Sequence, residues 1–192
     1  VGSEMCIRDS DYSGWSVSLS SDGTIVAIGA TENSSYNPNV GHVRVYQWDS
    51  ETSSWTQLGS DIDGEASGDQ SGYSVSLSGD GTRIAIGAIR NDGNGTDSGH
   101  VRIYEYSSNT WTQLGNDIDG ESEYDFSGYS VSLSNDGTIL AIGATRDDGT
   151  GNNAGHVRIY QLDGSSWNQL GDDIDGESPN DYSGWSVSLS GD

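Results

Sequence analysis

Three copies of one acidic pentad, Asp-Ile-Asp-Gly-Glu, punctuate the chain at 61–65, 117–121 and 173–177. They supply Asp61, Asp63 and Glu65, then Asp117, Asp119 and Glu121, then Asp173, Asp175 and Glu177. Carboxylate oxygens gathered around a turn are what a hard cation such as Ca²⁺ takes, so these nine side chains are candidate calcium ligands. The pentad does not open a helix-flanked calcium loop: position six is Ala or Ser where that loop requires Gly, and no bidentate Glu follows at twelve. Its plainer use is a solvated turn, for which Asp and Gly are suited.

Other reactive side chains recur in the same way. His42, His100 and His156 each follow a Gly and precede an alternating apolar run. Equivalent places in successive units would spread them too far apart to share one ion, so a structural hydrogen-bonding role is expected. Arg44, Arg102 and Arg158 are expected to pair with a neighbouring acid or backbone carbonyl. Trp55, Trp111 and Trp167 read as core or rim anchors, with glycan stacking as the alternative. Every polar feature is repeated, whereas an active site occurs once. No Ser-His-Asp ordering, phosphate loop or zinc spacing stands out, so no enzymatic activity is expected.

Composition narrows the partners. Thirty Asp and Glu face seven basic residues, all Arg, for a formal net charge of −23. Such a surface repels phosphate backbones and attracts cations, which argues against nucleic acid. No apolar run is long enough to span a bilayer as a helix. A saline, extracellular or cell-surface setting fits the lysine-free, acidic composition, and Cys6 alone offers no disulfide framework. Sequons at Asn33 and Asn94 would matter only on a eukaryotic secretory route.

The elements that must position these groups are legible as a repeat. "SGWSVSLSSDGTIVAIGAT" at 13–31 returns at 71–89 and 127–145 and begins again at 183–192. Each unit reads as four strands. "WSVSLS" alternates, placing Trp15, Val17 and Leu19 opposite Ser16, Ser18 and Ser20, the serines reading as small packing residues. A hairpin follows at Asp-Gly. "TIVAIGA" is apolar nearly throughout, as a strand covered on both faces should be. "HVRVY" alternates again, and "WTQLG" suits an exposed edge. Four antiparallel strands at this spacing predict an all-β, partial β-propeller: about three blades plus the first strand of a fourth. The expected units are 11–70, 71–126, 127–182 and a truncated 183–192. A closed ring needs roughly four to eight blades, so the remaining blades of the same chain are expected partners. The loops between second and third strands and the blade-to-blade connections should open on one acidic face.

At "SGYSVSLS…AIGA" the chain resembles the FG-GAP repeats of integrin-α-like propellers, over essentially all of 11–192. Ser-Gly stands at the "FG" place (13–14, 71–72, 127–128), and Gly-Ala plus Thr or Ile at the "GAP" place (29–31, 87–89, 143–145). The resemblance implies an extracellular module for adhesion or for binding a protein or glycan. It does not carry over the family's calcium loop between the first two strands, shortened here to "SSDGT", "SGDGT" and "SNDGT" with one Asp each. Kelch repeats are similar at "VRIYQLDGSSWNQLG" but need a Gly-Gly pair, and the sialidase Asp-box needs a residue between Asp and Gly. The expected function is a non-enzymatic binding or adhesion module presenting an acidic face to a ligand or cation. The alternatives are a repeat-built spacer, or part of a propeller enzyme such as a glycosidase.

"VGSEMCIRDS" at 1–10 holds the only Met and Cys and matches nothing later. It resembles one reading frame of a transposase-library sequencing adapter, which predicts a non-native segment and a fragment truncated at both ends.

Overall fold

The structure, a computed structural model, describes residues 11–32 and 39–190. The reading of 1–10 as adapter and the sequon at Asn33 lie outside the described residues. The first unit contributes β1 (Ser13–Leu19), β2 (Ile25–Ala30), β3 (His42–Asp49), β4 (Ser54–Gln57) and β5 (Ile62–Asp63). The second contributes β6 (Ser74–Leu77), β7 (Arg83–Ala88), β8 (His100–Ser107), β9 (Thr110–Gln113) and β10 (Ile118–Asp119). The third contributes β11 (Ser127–Leu133), β12 (Ile139–Ala144), β13 (His156–Asp163), β14 (Ser166–Gln169) and β15 (Ile174–Asp175). Among the described residues no helix is long and apolar enough to cross a membrane.

Each unit is one antiparallel sheet, ordered β1-β2-β3-β4 in the first, with β5 also paired to β3. The fourth strand is therefore broken in two, which corrects the reading of the acidic pentad as pure connection. Ile62 and Asp63 pair with Val43 and His42, and the pattern repeats at Ile118–Asp119 and Ile174–Asp175. Leu58-Gly59-Ser60 bends the chain between the halves of this outer strand.

The Asp-Gly hairpins are set by one side chain each. Asp22 Oδ1 accepts from Ser20 Oγ at 2.7 Å, Thr24 N at 2.9 Å and Thr24 Oγ1 at 2.8 Å. Those bonds, the Thr24 amide foremost, hold its carboxyl below the ordinary range. Asp80 and Asp136 repeat the arrangement.

The cores lie between blades, not within them. Ala27, Val43 and Val45 of the first unit meet Val75, Leu77, Ile84, Ile86 and Tyr104 of the second. Ala85, Val101 and Ile103 of the second meet Leu133, Leu140, Ile142 and Tyr160 of the third. A sheet apolar on both faces must be covered on both, which is what stacking does. On the outward face of β1 the same pattern leaves Trp15, Val17 and Leu19 more than half exposed.

Serines expected to be packing residues do something more specific. Ser16 Oγ donates to Gly72 O at 2.7 Å, Ser74 Oγ to Gly128 O at 2.7 Å, and Ser130 Oγ to Gly184 O at 2.8 Å. The next serine along accepts: Leu77 N donates to Ser18 Oγ at 3.0 Å, Leu133 N to Ser76 Oγ at 2.9 Å and Leu189 N to Ser132 Oγ at 3.0 Å. The innermost strands thus fasten blade to blade through one donor and one acceptor per step. A small hydroxyl suits this because the backbones approach closely: a Cβ on Gly29 would lie far inside contact distance of Gly72 O, and Gly87 and Gly143 stand the same way against Gly128 and Gly184. Gly72 itself has φ +87°, open to glycine at little cost.

Candidate functional site

The ends of β2, β7 and β12, the loops that follow them and the blade-to-blade connections share one end of the stack. Asn94 Nδ2 donates to Gly120 O at 2.9 Å and Glu121 O at 3.0 Å, and Thr150 Oγ1 donates to Gly176 O at 2.6 Å. The Asp-Gly turns occupy the other end, where Ser21 N donates to Gly79 O and Gly79 N to Asn135 O, each at 2.8 Å.

Most pentad acids are already engaged. Asp61 takes Arg44 Nε and Nη2 at 2.9–3.1 Å and Gln57 Nε2 at 2.7 Å. Burial pushes its carboxyl up, but these bonds outweigh that and leave it below the ordinary range. Asp117 and Asp173 accept from Gln113 and Gln169, each at 2.6 Å. Arg102 reaches back to the preceding blade, donating to Asp63 O at 2.8 Å and standing 3.3 Å from Glu65. Arg158 does the same to Asp119 O at 2.8 Å and to Glu121 at 3.6 Å. Asp119 is raised by burial and by Asp117. Asp175 lies opposite His156 on β15, and Glu177 joins no cluster of potential ligands among the described residues.

The histidines do not converge on one another, yet each gathers its own acids. Ligand atoms within 4.8 Å of one another come from His42, Asp61 and Asp63; from Glu65, His100 and Asp117; from Glu121, His156 and Asp173; and from Asp147, His156 and Asp175. Treating the three as one distant set missed this, because the signal was the pairing of the pentad with the Gly-His strand start. Burial, aided by Arg102, holds His100 down to about 4.

One cluster has no counterpart among the described residues. In the second blade Asn91 Nδ2 donates to buried Asp69 at 3.1 Å. The third blade places Asp147 where Asn91 would be, so Asp125, the counterpart of Asp69, faces a second carboxylate. Burial and Asp147 push Asp125 up to about 6, against its bond from Ser122 N. The rule that every polar feature repeats fails here.

Near the innermost strands the same end opens into a cleft of about 490 Å³, lined by Trp15, Tyr73, Tyr129 and Trp185 with Arg90 and Arg146. The four rings form a file across successive blades, with centroids 5.4, 5.1 and 4.8 Å apart. Arg146 lies over Phe126 at 4.7 Å. Sequence reasoning assigned these aromatics to a strand face only. The available signal was a Trp or Tyr directly after the Ser-Gly that opens each unit, at 15, 73, 129 and 185.

Three antiparallel sheets stacked face to face, each offering its first strand to the same inner file, define a β-propeller. The FG-GAP repeat model matches residues 61–104 and 118–160, so FG-GAP repeats are detected in two places of this partial propeller. No curated protein sequence matches it. Among solved structures it is similar to a candidate 6-phosphogluconolactonase from Bacteroides uniformis, at 12% identity and a TM-score of 0.58 over 91% of this chain and 44% of that one. A second candidate 6-phosphogluconolactonase, from Bacteroides fragilis, matches at 15% identity and a TM-score of 0.57, over 85% and 39%. Sqt1 of Saccharomyces cerevisiae matches at 16% identity and a TM-score of 0.55, over 88% and 37%. At these identities the likeness is one of fold, and the chain spans less than half the length of each.

Proposed function

We propose that the chain is a non-enzymatic binding or adhesion module of an extracellular or cell-surface protein, with the loop end as its binding face. The observation that carries this is the cleft: a file of four aromatic rings beside Arg90 and Arg146 on an otherwise acidic chain. Flat rings stack on sugars or on apolar side chains, and the two guanidiniums favour a ligand carrying carboxylate or sulfate. An acidic glycan or an acidic protein segment is the ligand class. Unequal loops between second and third strands rim the same end, "IRNDGNGTDSG" against "TRDDGTGNNAG", as suits recognition rather than spacing.

Titration with acidic and neutral oligosaccharides and with acidic peptides, read by tryptophan fluorescence, tests this. Binding lost in Arg90→Ala and Tyr129→Ala supports it; binding of none of the probes, or binding indifferent to both substitutions, removes it and favours a spacer. Calcium at the nine pentad carboxylates is the cation-dependent form of the same reading. A calcium-induced rise in melting temperature supports that form, and an unchanged melting curve eliminates it. The enzyme alternative has only the fold likeness to the lactonase candidates behind it.

A further inference from the structure

We infer that the third blade holds a single divalent metal site of the zinc class, formed by Asp147, His156 and Asp175. His156 is 1% exposed, and neither ring nitrogen has a hydrogen-bond partner among the described residues. Its Nδ1 lies 3.3 Å from Asp147 Oδ1. Asp147 is itself 7% exposed, with Oδ1 held by Gly149 N at 2.8 Å. Asp175 pairs with His156 across β13 and β15. The Oδ1 atoms of Asp147 and Asp175 both lie within 3.6 Å of the point where a Cβ on Gly149 would stand, so a glycine keeps that space clear. One ligand atom from each of the three residues falls within 4.8 Å of the others.

A buried imidazole with no partner on either nitrogen is costly, and two facing carboxylates compound the cost. A cation relieves both. The donor set decides its class: Zn²⁺ takes imidazole nitrogen together with carboxylate oxygen, whereas Ca²⁺ takes oxygens alone. Three protein ligands leave a coordination position open on the exposed Asp175 side. Glu121 and Asp173 also come within 4.8 Å of His156, so the ring can ligate through one nitrogen and donate through the other, as metal-bound histidines do.

The second blade supplies the contrast. Asn91 occupies the place of Asp147, accepts from Gly93 N at 2.8 Å as Asp147 accepts from Gly149 N, and spends its amide on Asp69. An amide cannot serve as the anionic ligand, so among the described residues this Asp-His-Asp set is complete in the third blade and not in the second. The repeat thereby provides its own variants. Equilibrium dialysis of the full chain against Zn²⁺ alone and Ca²⁺ alone, with metal counted by mass spectrometry, reads the stoichiometry. The expected result is one tightly held Zn²⁺ per chain, lost in Asp147→Asn, with melting temperature in chelator no lower than that of the parent. Asn91→Asp should add a second Zn²⁺. The inference is overturned if no Zn²⁺ binds, if Asp147→Asn leaves the stoichiometry unchanged, or if Ca²⁺ outcompetes Zn²⁺ at this site. None of these outcomes depends on the cleft, so the binding-module reading stands or falls separately.

Discussion

The two ends of the stacked blades are built from the same repeat and treat their polar groups in opposite ways. At the turn end, Asp22, Asp80 and Asp136 each satisfy a Ser and a Thr, and the turns bond in sequence from Ser21 to Gly79 to Asn135. Little there is left over for a ligand. At the loop end, His100 Nδ1 and both nitrogens of His156 lack hydrogen-bond partners among the described residues, acids face acids, and a file of aromatic rings opens on a cleft. A repeat can thus be a uniform scaffold at one end and free to vary at the other, because the strands and the serine bonds between innermost strands do not depend on the loops.

The largest effect is expected where backbones meet. Gly87→Ala would push a methyl into Gly128 O of the next blade and should cost about 3 kcal/mol or more, seen as a large drop in urea midpoint. A cost below about 1 kcal/mol would mean that the blades do not approach as described.

The next concerns His100, which faces Arg102, Asp117, Asp69 and Glu65. Burial holds its folded pKa down to about 4 from an ordinary 6.5. Below pH 6.5 the unfolded chain therefore binds a proton that the folded chain refuses, and stability falls as pH drops from 6.5 towards 4. The loss specific to this group should reach about 3 kcal/mol at pH 4 and be absent from His100→Gln. Parallel pH profiles of the two chains would refute the assignment.

Ser76→Ala removes the acceptor for Leu133 N and should cost about 1–3 kcal/mol, as a backbone donor between blades loses its partner. The smallest change sharpens the contrast: exchanging residues 92–97 with 148–153 alters only the loop end and should shift stability by no more than about 0.5 kcal/mol.

Much of this was legible in the sequence. Alternation in "WSVSLS", the apolar "TIVAIGA" and the Asp-Gly turns were local signals, and they located the strands and the stacking. The broken fourth strand was not legible, since Ile62-Asp63 is too short to show a period and owes its pairing to Val43 and His42 across the sheet. Ser16 and Ser18 read as filler because their partners, Gly72 and Leu77, lie one blade away. The grouping of pentad acids with histidines was hidden for the same reason. The substitution of Asp147 for Asn91 was in plain view, but its meaning required knowing that Asp69 and Asp125 stand beside those positions.

The blades are packed through their innermost strands, and amide hydrogen exchange at Leu77 and Leu133 tests this most directly. Both N–H groups donate out of their own sheet, to Ser18 and Ser76 of the preceding blade. Slow exchange at both, comparable with amides bonded inside the sheets, is the predicted result. Exchange as fast as in the loops at 92–97 and 148–153 would contradict it.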